Sequence, residues 1–447
     1  MSELPEHDEH DGPGDPGDPG DPGDGAGLAH DPNELIRVWV TRAVLLVAVL
    51  CIIGLGVFWP RGQAPEVVPQ PGSYVDATVT AVERTECDAV EADALAGCAR
   101  VEVRITSGPD AGDDGVFLIR DTDFGVPEQH VGDRVVLLDV PTSPPPYRYS
   151  YSDVQRASPM WWLLGLFVVA VIAVGRWQGV RALTGLLGSG VILIVFLVPA
   201  LIRDESAVMV ALVASAAIAF LALYLAHGFN PATTVALAGT LLSLVVITVI
   251  ALVATDVMSL SGLASPDAQA LRVTASALDL RGLLVAGIVV GALGVLDDVT
   301  VTQVSAVGAL KRANPRFGRV ELYREAMRVG RDHVASTVNT LVLAYAGASL
   351  PLVLLFSQGA RSTGRIVTSE IVAVEVVRML VGSIGLILAV PITTALAAAV
   401  LTGREELHAG HDHGHGPVPA PAEPTEAGEP DGPGDGWDAF GPKADPI

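Results

Sequence analysis

The chain has 447 residues, of which 50% are hydrophobic and only 17% charged, with a formal net charge of −23 and a mean hydropathy of +0.47. Soluble domains carry about 25% charged residues, so this composition excludes an ordinary globular domain and indicates a polytopic membrane protein. Much of the acid sits in the two tails, and no extended basic face exists to meet phosphates, which excludes nucleic-acid binding.

Residues 1–36 form the first segment, a cytoplasmic tail. Up to Glu34 it has no Lys or Arg, and GDP repeats through GPGDPGDPGDPGD (Gly12 to Asp24). Too little apolar surface is available to offset ordering entropy, so the tail is expected to be disordered. The run is too short for a collagen helix and too acidic for a signal peptide. An uncleaved first transmembrane helix is expected at 43–59. Arg37 and Arg42 precede it and Trp59 ends it, as an interfacial aromatic should.

Residues 73–141 change character. YVDATVTAV, ARVEVRITS, GVFLIRD and DRVVLLDV are short, β-branched and alternating, which predicts strands, with turns at GPDAG, DDG and VGD. The reading is a small external β domain, either an OB-like barrel or a plain β-sandwich. Cys87 and Cys98 flank CDAVEADALAGC. Outside the cytoplasm a structural disulfide is the expected arrangement; a metal site is the rival, poorly served by two cysteines without a nearby His. PTSPPPY (Pro141 to Tyr147) then reads as a stiff linker back to the membrane.

A helical bundle is expected over 160–402, with spans at 160–175, 182–202, 207–227, 232–255, 282–304, 334–356 and 376–400. With the first helix this makes about eight. The most basic loop, KRANPRFGRVELYREAMRVGR (Lys311 to Arg331), belongs in the cytoplasm by the positive-inside rule. Arg176 and Arg181 fall on the same side when spans are counted through. Arg61, Arg203, Arg272, Arg281, Arg361 and Arg365 oppose the assignment but are spread thin. Both termini are therefore expected inside. The loop either sets topology alone or also lies along the anionic leaflet.

The sixth span carries the sharpest feature. GALGVLDDVTVTQVSA (Gly291 to Ala306) places Asp297 and Asp298 inside an apolar run. Ionised carboxylates in a bilayer are costly and mark ion sites, proton relays or ion pairs. Gly291, Gly294, Asp298, Thr302 and Ser305 share one small, polar stripe, the kind that faces other helices. Asp297 lies about 100° away, with Thr300 and Val304. Asp298 is thus the expected inward carboxylate, with Asp297 at its flank. The alternative ends the span at Leu296 and makes the pair an interfacial cap. Asn339 in the next span is either a further ligand or helix-packing glue. Glu375 and Arg378, three apart, can form an ion pair, and Pro391 should kink the last span.

The C-terminal tail, 404–447, contains HAGHDHGHG. His408, His411, His413 and His415 make a weak metal-binding candidate or low-complexity filler. No cofactor is expected.

Taken together, GALGVLDD, STVNTLVLAYAGASLPL and EVVRMLVGSIGLILAVPIT resemble the YibE/F-like family of bacterial membrane proteins, over roughly residues 40–402. The resemblance implies several membrane helices behind an external N-terminal domain. Its sixth-span motif looks like Gly-Ala-x-Gly followed by an aspartate that corresponds to Asp298; Asp297 stands where an apolar residue is usual. The resemblance implies no specific activity.

The expected function is that of a permease or ion-coupled transporter in a bacterial plasma membrane. It would use an intramembrane aspartate to move a small solute or cation. The second reading is a non-enzymatic accessory or scaffold protein whose external domain binds a ligand or protein partner. An enzyme is not expected, because adjacent aspartates on one helix cannot face one another as an aspartyl-protease pair. HExxH, P-loop and GxSxG contexts are also missing.

Overall fold

The computed structural model describes residues 32–61, 72–86, 97–120, 123, 125–203, 205–274, 278–357 and 368–402. Most of the N-terminal tail, Cys87 and the C-terminal segment 404–447, with its four histidines, lie outside the described residues. The elements in chain order are helix α1 (Pro32–Val57), strands β1 (Ser73–Glu86), β2 (Gly97–Ile105), β3 (Asp114–Arg120), β4 (Arg134–Asp139) and β5 (Tyr149–Val154), and helix α2 (Ala157–Ile192). A π-helical turn (Leu193–Leu197) leads to α3 (Val198–Ile202). Then follow α4 (Ala207–His227), α5 (Pro231–Val257), α6 (Pro266–Thr274), α7 (Leu280–Ala313), α8 (Arg319–Ala348), α9 (Leu350–Ser357) and α10 (Glu370–Leu401).

The four expected strand segments are β1 to β4. They form one antiparallel sheet in the order β3-β2-β1-β4-β5. β1 is long enough to pair with both neighbours, β4 along Ser73–Thr78 and β2 along Ala77–Glu86, and a bulge between Val79 and Ala81 bends it. The sheet curls, so that β3 comes alongside β5. Alternate residues fill the inside: Val75, Ala77 and Val79 on β1, Val101, Val103 and Ile105 on β2, Phe117 on β3, Val135 and Leu137 on β4, and Tyr149 on β5. The sheet does not stop at Pro141. After the proline-rich turn, β5 pairs with β4 along Tyr149–Val154. Arg148 fastens this last strand: its Nε donates to Asp139 Oδ1 at 2.8 Å and its Nη2 to Asp139 Oδ2 at 3.1 Å, while it also reaches Asp110. Asp139 is almost fully buried, so this forked partner is what makes its burial tolerable.

Six helical stretches, rather than eight, are long and apolar enough to cross a membrane among the described residues: Leu35–Val57, Ala157–Ile202, Ala207–His227, Pro231–Val257, Leu280–Ala313 and Glu370–Leu401. The expected spans at 160–175 and 182–202 belong to one 46-residue stretch, interrupted at Arg176 (φ 50°, ψ −128°). The chain bends there so sharply that a Cβ at Gly179 would lie 2.3 Å from the Val171 carbonyl oxygen. The expected span at 334–356 is divided between α8 and α9 by a turn at Ser349. Neither helix is both long and apolar enough alone, although α8 runs antiparallel along α7. Gly330 abuts Gln303 at one end of this seam, and Tyr345 lies 3.7 Å from a Cβ built at Gly291 at the other.

α5, α7 and α10 pack against one another as the centre of the helical part. α5 and α7 start behind capping side chains. Asn230 accepts from Thr233 N–H at 2.9 Å ahead of Pro231, and Asp279 accepts from Gly282 N–H at 3.0 Å. Glu370 Oε1, at the start of α10, accepts from Ser261 N–H and Oγ, both at 2.7 Å, and from Gly262 N–H at 3.1 Å. Arg281 on α7 pairs with Asp256 on α5 at 2.8 Å. In the middle, glycines let the helices close: a Cβ at Gly239 would lie 2.3 Å from Thr393 Oγ1, and one at Gly385 2.2 Å from Ile247 Cγ1.

Two outcomes are expected. Phe117→Ala, which empties the centre of the sheet, should cost about 3–5 kcal/mol and lower the thermal transition of the β-sheet circular dichroism signal in the detergent-solubilised chain. Gly239→Val overfills the α5–α10 contact and should cost about 1–3 kcal/mol, read as earlier aggregation on heating in fluorescence-detected size-exclusion chromatography. A wild-type melting profile for either variant would contradict the packing described.

Candidate functional site

α7 has two faces, and their assignment differs from the sequence expectation. Gly287, Gly291, Gly294, Asp298 and Ser305 are exposed and Thr302 is partly exposed. The small, polar stripe therefore points away from the three-helix centre, and Asp298 is not the inward carboxylate. The physical reason is volume. Leu293, Leu296, Val299 and Val304 are the large side chains of α7 that fill the grooves of α5 and α10, and they turn their own face inward. Asp297, Thr300 and Gln303 share that face.

Asp297 sits near the middle of α7. Its Oδ1 is buried without a hydrogen-bond partner, and the Thr240 hydroxyl of α5 lies beside its carboxyl. Thr240 Oγ1 and Thr300 Oγ1 are 2.8 Å apart and hydrogen-bonded, and Thr300 Oγ1 also lies 3.2 Å from the Asp297 carbonyl it can donate to. One turn along, Thr394 Oγ1 of α10 donates to Gln303 Oε1 at 3.0 Å, sharing its proton with the Val390 carbonyl at 2.6 Å. Gln303 Nε2, Ser243 Oγ, Ser383 Oγ and Thr393 Oγ1 are buried without partners. Thr240, Thr300, Gln303, Thr393 and Thr394 are fully or almost fully buried. Pro391, inside α10, has no N–H to give the Ile387 carbonyl, which loosens the backbone beside the same cluster.

Such a density of unsatisfied buried polar atoms is unusual, because each one costs free energy that water would have repaid. An isolated ionised carboxylate costs more still. Chemically, the arrangement gathers one acid, several hydroxyls and an amide that can accept or donate hydrogen bonds.

The other expected site residues lie apart. Asn339 is exposed on α8. Arg378 donates to Glu375 at 3.1 Å and 3.3 Å near the start of α10. Cys98 is buried and disulfide-bonded. Cys51 is free and buried in α1, with its thiol 3.6 Å from the Val213 carbonyl. Sequence reasoning missed Thr240, Gln303, Thr393 and Thr394 as members of the cluster. Gln303, a lone amide in an apolar run, was the one signal that could have drawn attention to this face.

No curated protein and no solved structure matches the chain. Residues 163–403, more than half of its length, match the family described as YibE/F-like protein. The first helix and the curled sheet lie before the matched region, whereas α4, α5, α7, α8 and α10, with the Asp297 cluster, lie within it. This chain is a member of the YibE/F-like protein family.

Proposed function

We propose that the chain is a permease or ion-coupled transporter, not an enzyme, that moves a small solute or cation across a bacterial plasma membrane, with Asp297 as the residue that binds the coupling ion. The observation that carries this reading is the Asp297 carboxyl: it lies within the α5–α7–α10 contact, one oxygen has no partner, and the Thr240 hydroxyl lies beside it. Intramembrane carboxylates of this kind mark ion and proton pathways. Pro391 lies beside the cluster within the continuous helix α10 and leaves the Ile387 carbonyl without its helical donor. The orientation follows from Lys311–Arg331 on the cytoplasmic side, with both termini inside and the sheet outside.

Two finer features belong to this reading. The limbs on either side of Arg176 act as separate spans, and α8 with α9 crosses as another, restoring the count of eight. The sheet is an OB-like barrel, an inference supported by its long bulged first strand, shared between two pairings, and by β3 lying alongside β5.

A second reading is a membrane accessory protein that presents the sheet to a protein partner. It is favoured by Tyr74, Val82, Val131 and Tyr147, large apolar side chains exposed in the external segment.

Reconstitution into liposomes with a panel of cations and small solutes separates the two. Uptake should fall to the level of empty vesicles in Asp297→Asn and stay at the wild-type rate in Asp298→Asn. No wild-type uptake above that of empty vesicles would refute the transporter assignment, and uptake undiminished in Asp297→Asn would refute the role given to Asp297. Loss of cellular function on deleting 73–154, with Asp297→Asn silent, would favour the accessory role.

A further inference from the structure

The seam between α7 and α8 holds buried polar atoms that the ion site alone does not use. Gly330 is pressed so closely on α7 that a Cβ there would meet Gln303 Nε2 at 2.9 Å and Gln303 Oε1 at 3.1 Å. His333, three residues on and on the same helix face, has its Nε2 buried without a hydrogen-bond partner. Gln303 is fully buried, and its Nε2 is also without one. From Gln303 the inner face of α7 continues through Thr300 to Asp297 at steps of three, each one helical turn further from the Lys311–Arg312 end. The sequence places His333 at the junction between the basic stretch ending at Arg331 and the apolar remainder of α8.

We propose that the ion handled by Asp297 is a proton, and that it enters from the basic end of α7 and α8 through His333, one turn deeper than Gln303, and passes by the Thr300 hydroxyl to the carboxyl. This rests on the transporter reading and names its coupling ion.

A metal ion fits the cluster poorly. Hard cations are held by several oxygens converging at one distance. Here Thr240 and Thr300 are bonded to each other, and Gln303 Oε1 is taken by Thr394. Thr393 fills the gap at Gly239 and Gln303 the gap at Gly330. A proton needs no coordination shell, and hydroxyls can pass it on.

The charged surroundings leave His333 one inward partner. On α7, Asp297 faces inward, Asp298 outward, and Lys311 and Arg312 lie at the basic end. α10 carries Glu370, Glu375 and Arg378, all near its start at the opposite end, and α5 has Asp256 alone, at its outer end. On α8 itself Arg328, Arg331 and Asp332 flank the entrance, and Tyr345 lies far along the helix. The transfer balances simply. The N–H bond at His333 breaks and an O–H bond forms at the Asp297 carboxylate. A hydroxyl between them accepts one proton, releases another and ends unchanged.

Infrared spectroscopy of the full chain in liposomes tests this without a known solute. The wild type should show a carboxylic-acid C=O stretch that is lost in Asp297→Asn and kept in Asp298→Asn. In D2O, its exchange shift should slow about a hundredfold in His333→Ala and recover with added imidazole. His333→Gln, which keeps the side chain's bulk and polarity, serves if the alanine variant does not fold. Three results would overturn the proposal: no such band in the wild type, exchange at the wild-type rate without His333, or loss of the band on adding sodium at fixed pH. Exchange as expected with no solute moved would sink the transporter reading and leave the proton path standing. Solute uptake that needs Asp297 but is indifferent to His333 would sink the proton path alone.

Discussion

The hydroxyl contact between Thr240 and Thr300 is the point on which the helical centre turns. It joins α5 to α7 where neither helix has lipid or water to turn to, and it fixes the rotation of α7 about its own axis. With Thr300 inward, Asp297 and Gln303 must be inward too, because the three share one line. Asp298, about 100° further round, must then be outward. A hydrogen bond of modest net worth thus locks the rotation that the aliphatic side chains of α7 set by filling the grooves of α5 and α10. The α10 side chains complete the choice, with Thr394 meeting Gln303 and Thr393 seated at Gly239.

The arrangement spends stability on polarity. At Ser243, Ser383 and Thr393 an alanine or valine would leave no polar side-chain atom to satisfy. Their hydroxyls are instead buried and unsatisfied. Departures from good packing of this kind are expected at functional sites rather than in scaffolding. The curled sheet leans the other way: its core cluster is apolar and the buried Asp139 carboxylate is matched by the Arg148 fork, with Gln129 Oε1 as a buried polar atom left without a partner.

Much of the architecture was legible from periodicity. The alternating segments at 74–82, 99–107, 115–121 and 133–140 became four strands, and the apolar runs around 43–59, 207–227, 232–255, 282–304 and 376–400 became helices at the expected places. β5 escaped because YSYSDV offers no apolar alternation and follows a proline-rich stretch; its pairing is dictated by β4 and by Arg148, contacts that lie elsewhere in the chain. The bend at Arg176 escaped because two arginines in a short polar gap read as a loop, whereas the helix resumes directly. The choice between Asp297 and Asp298 went astray for a different reason. Small and polar residues often mark the contact face of a membrane helix, but on α7 the large aliphatic residues fill the grooves. Only the neighbours' shapes distinguish the two cases. Gln303 and the paired threonines come from three helices distant in sequence, so no local pattern could gather them.

The two glycine contacts between α5 and α10 point in opposite senses. At Gly239 the knob comes from α10 and the hole is on α5; at Gly385 the knob is Ile247 of α5 and the hole is on α10. Teeth set both ways along a seam resist sliding in either direction. α5 and α10 are therefore keyed together as a pair, a constraint that the contact of α8 on α7 does not share.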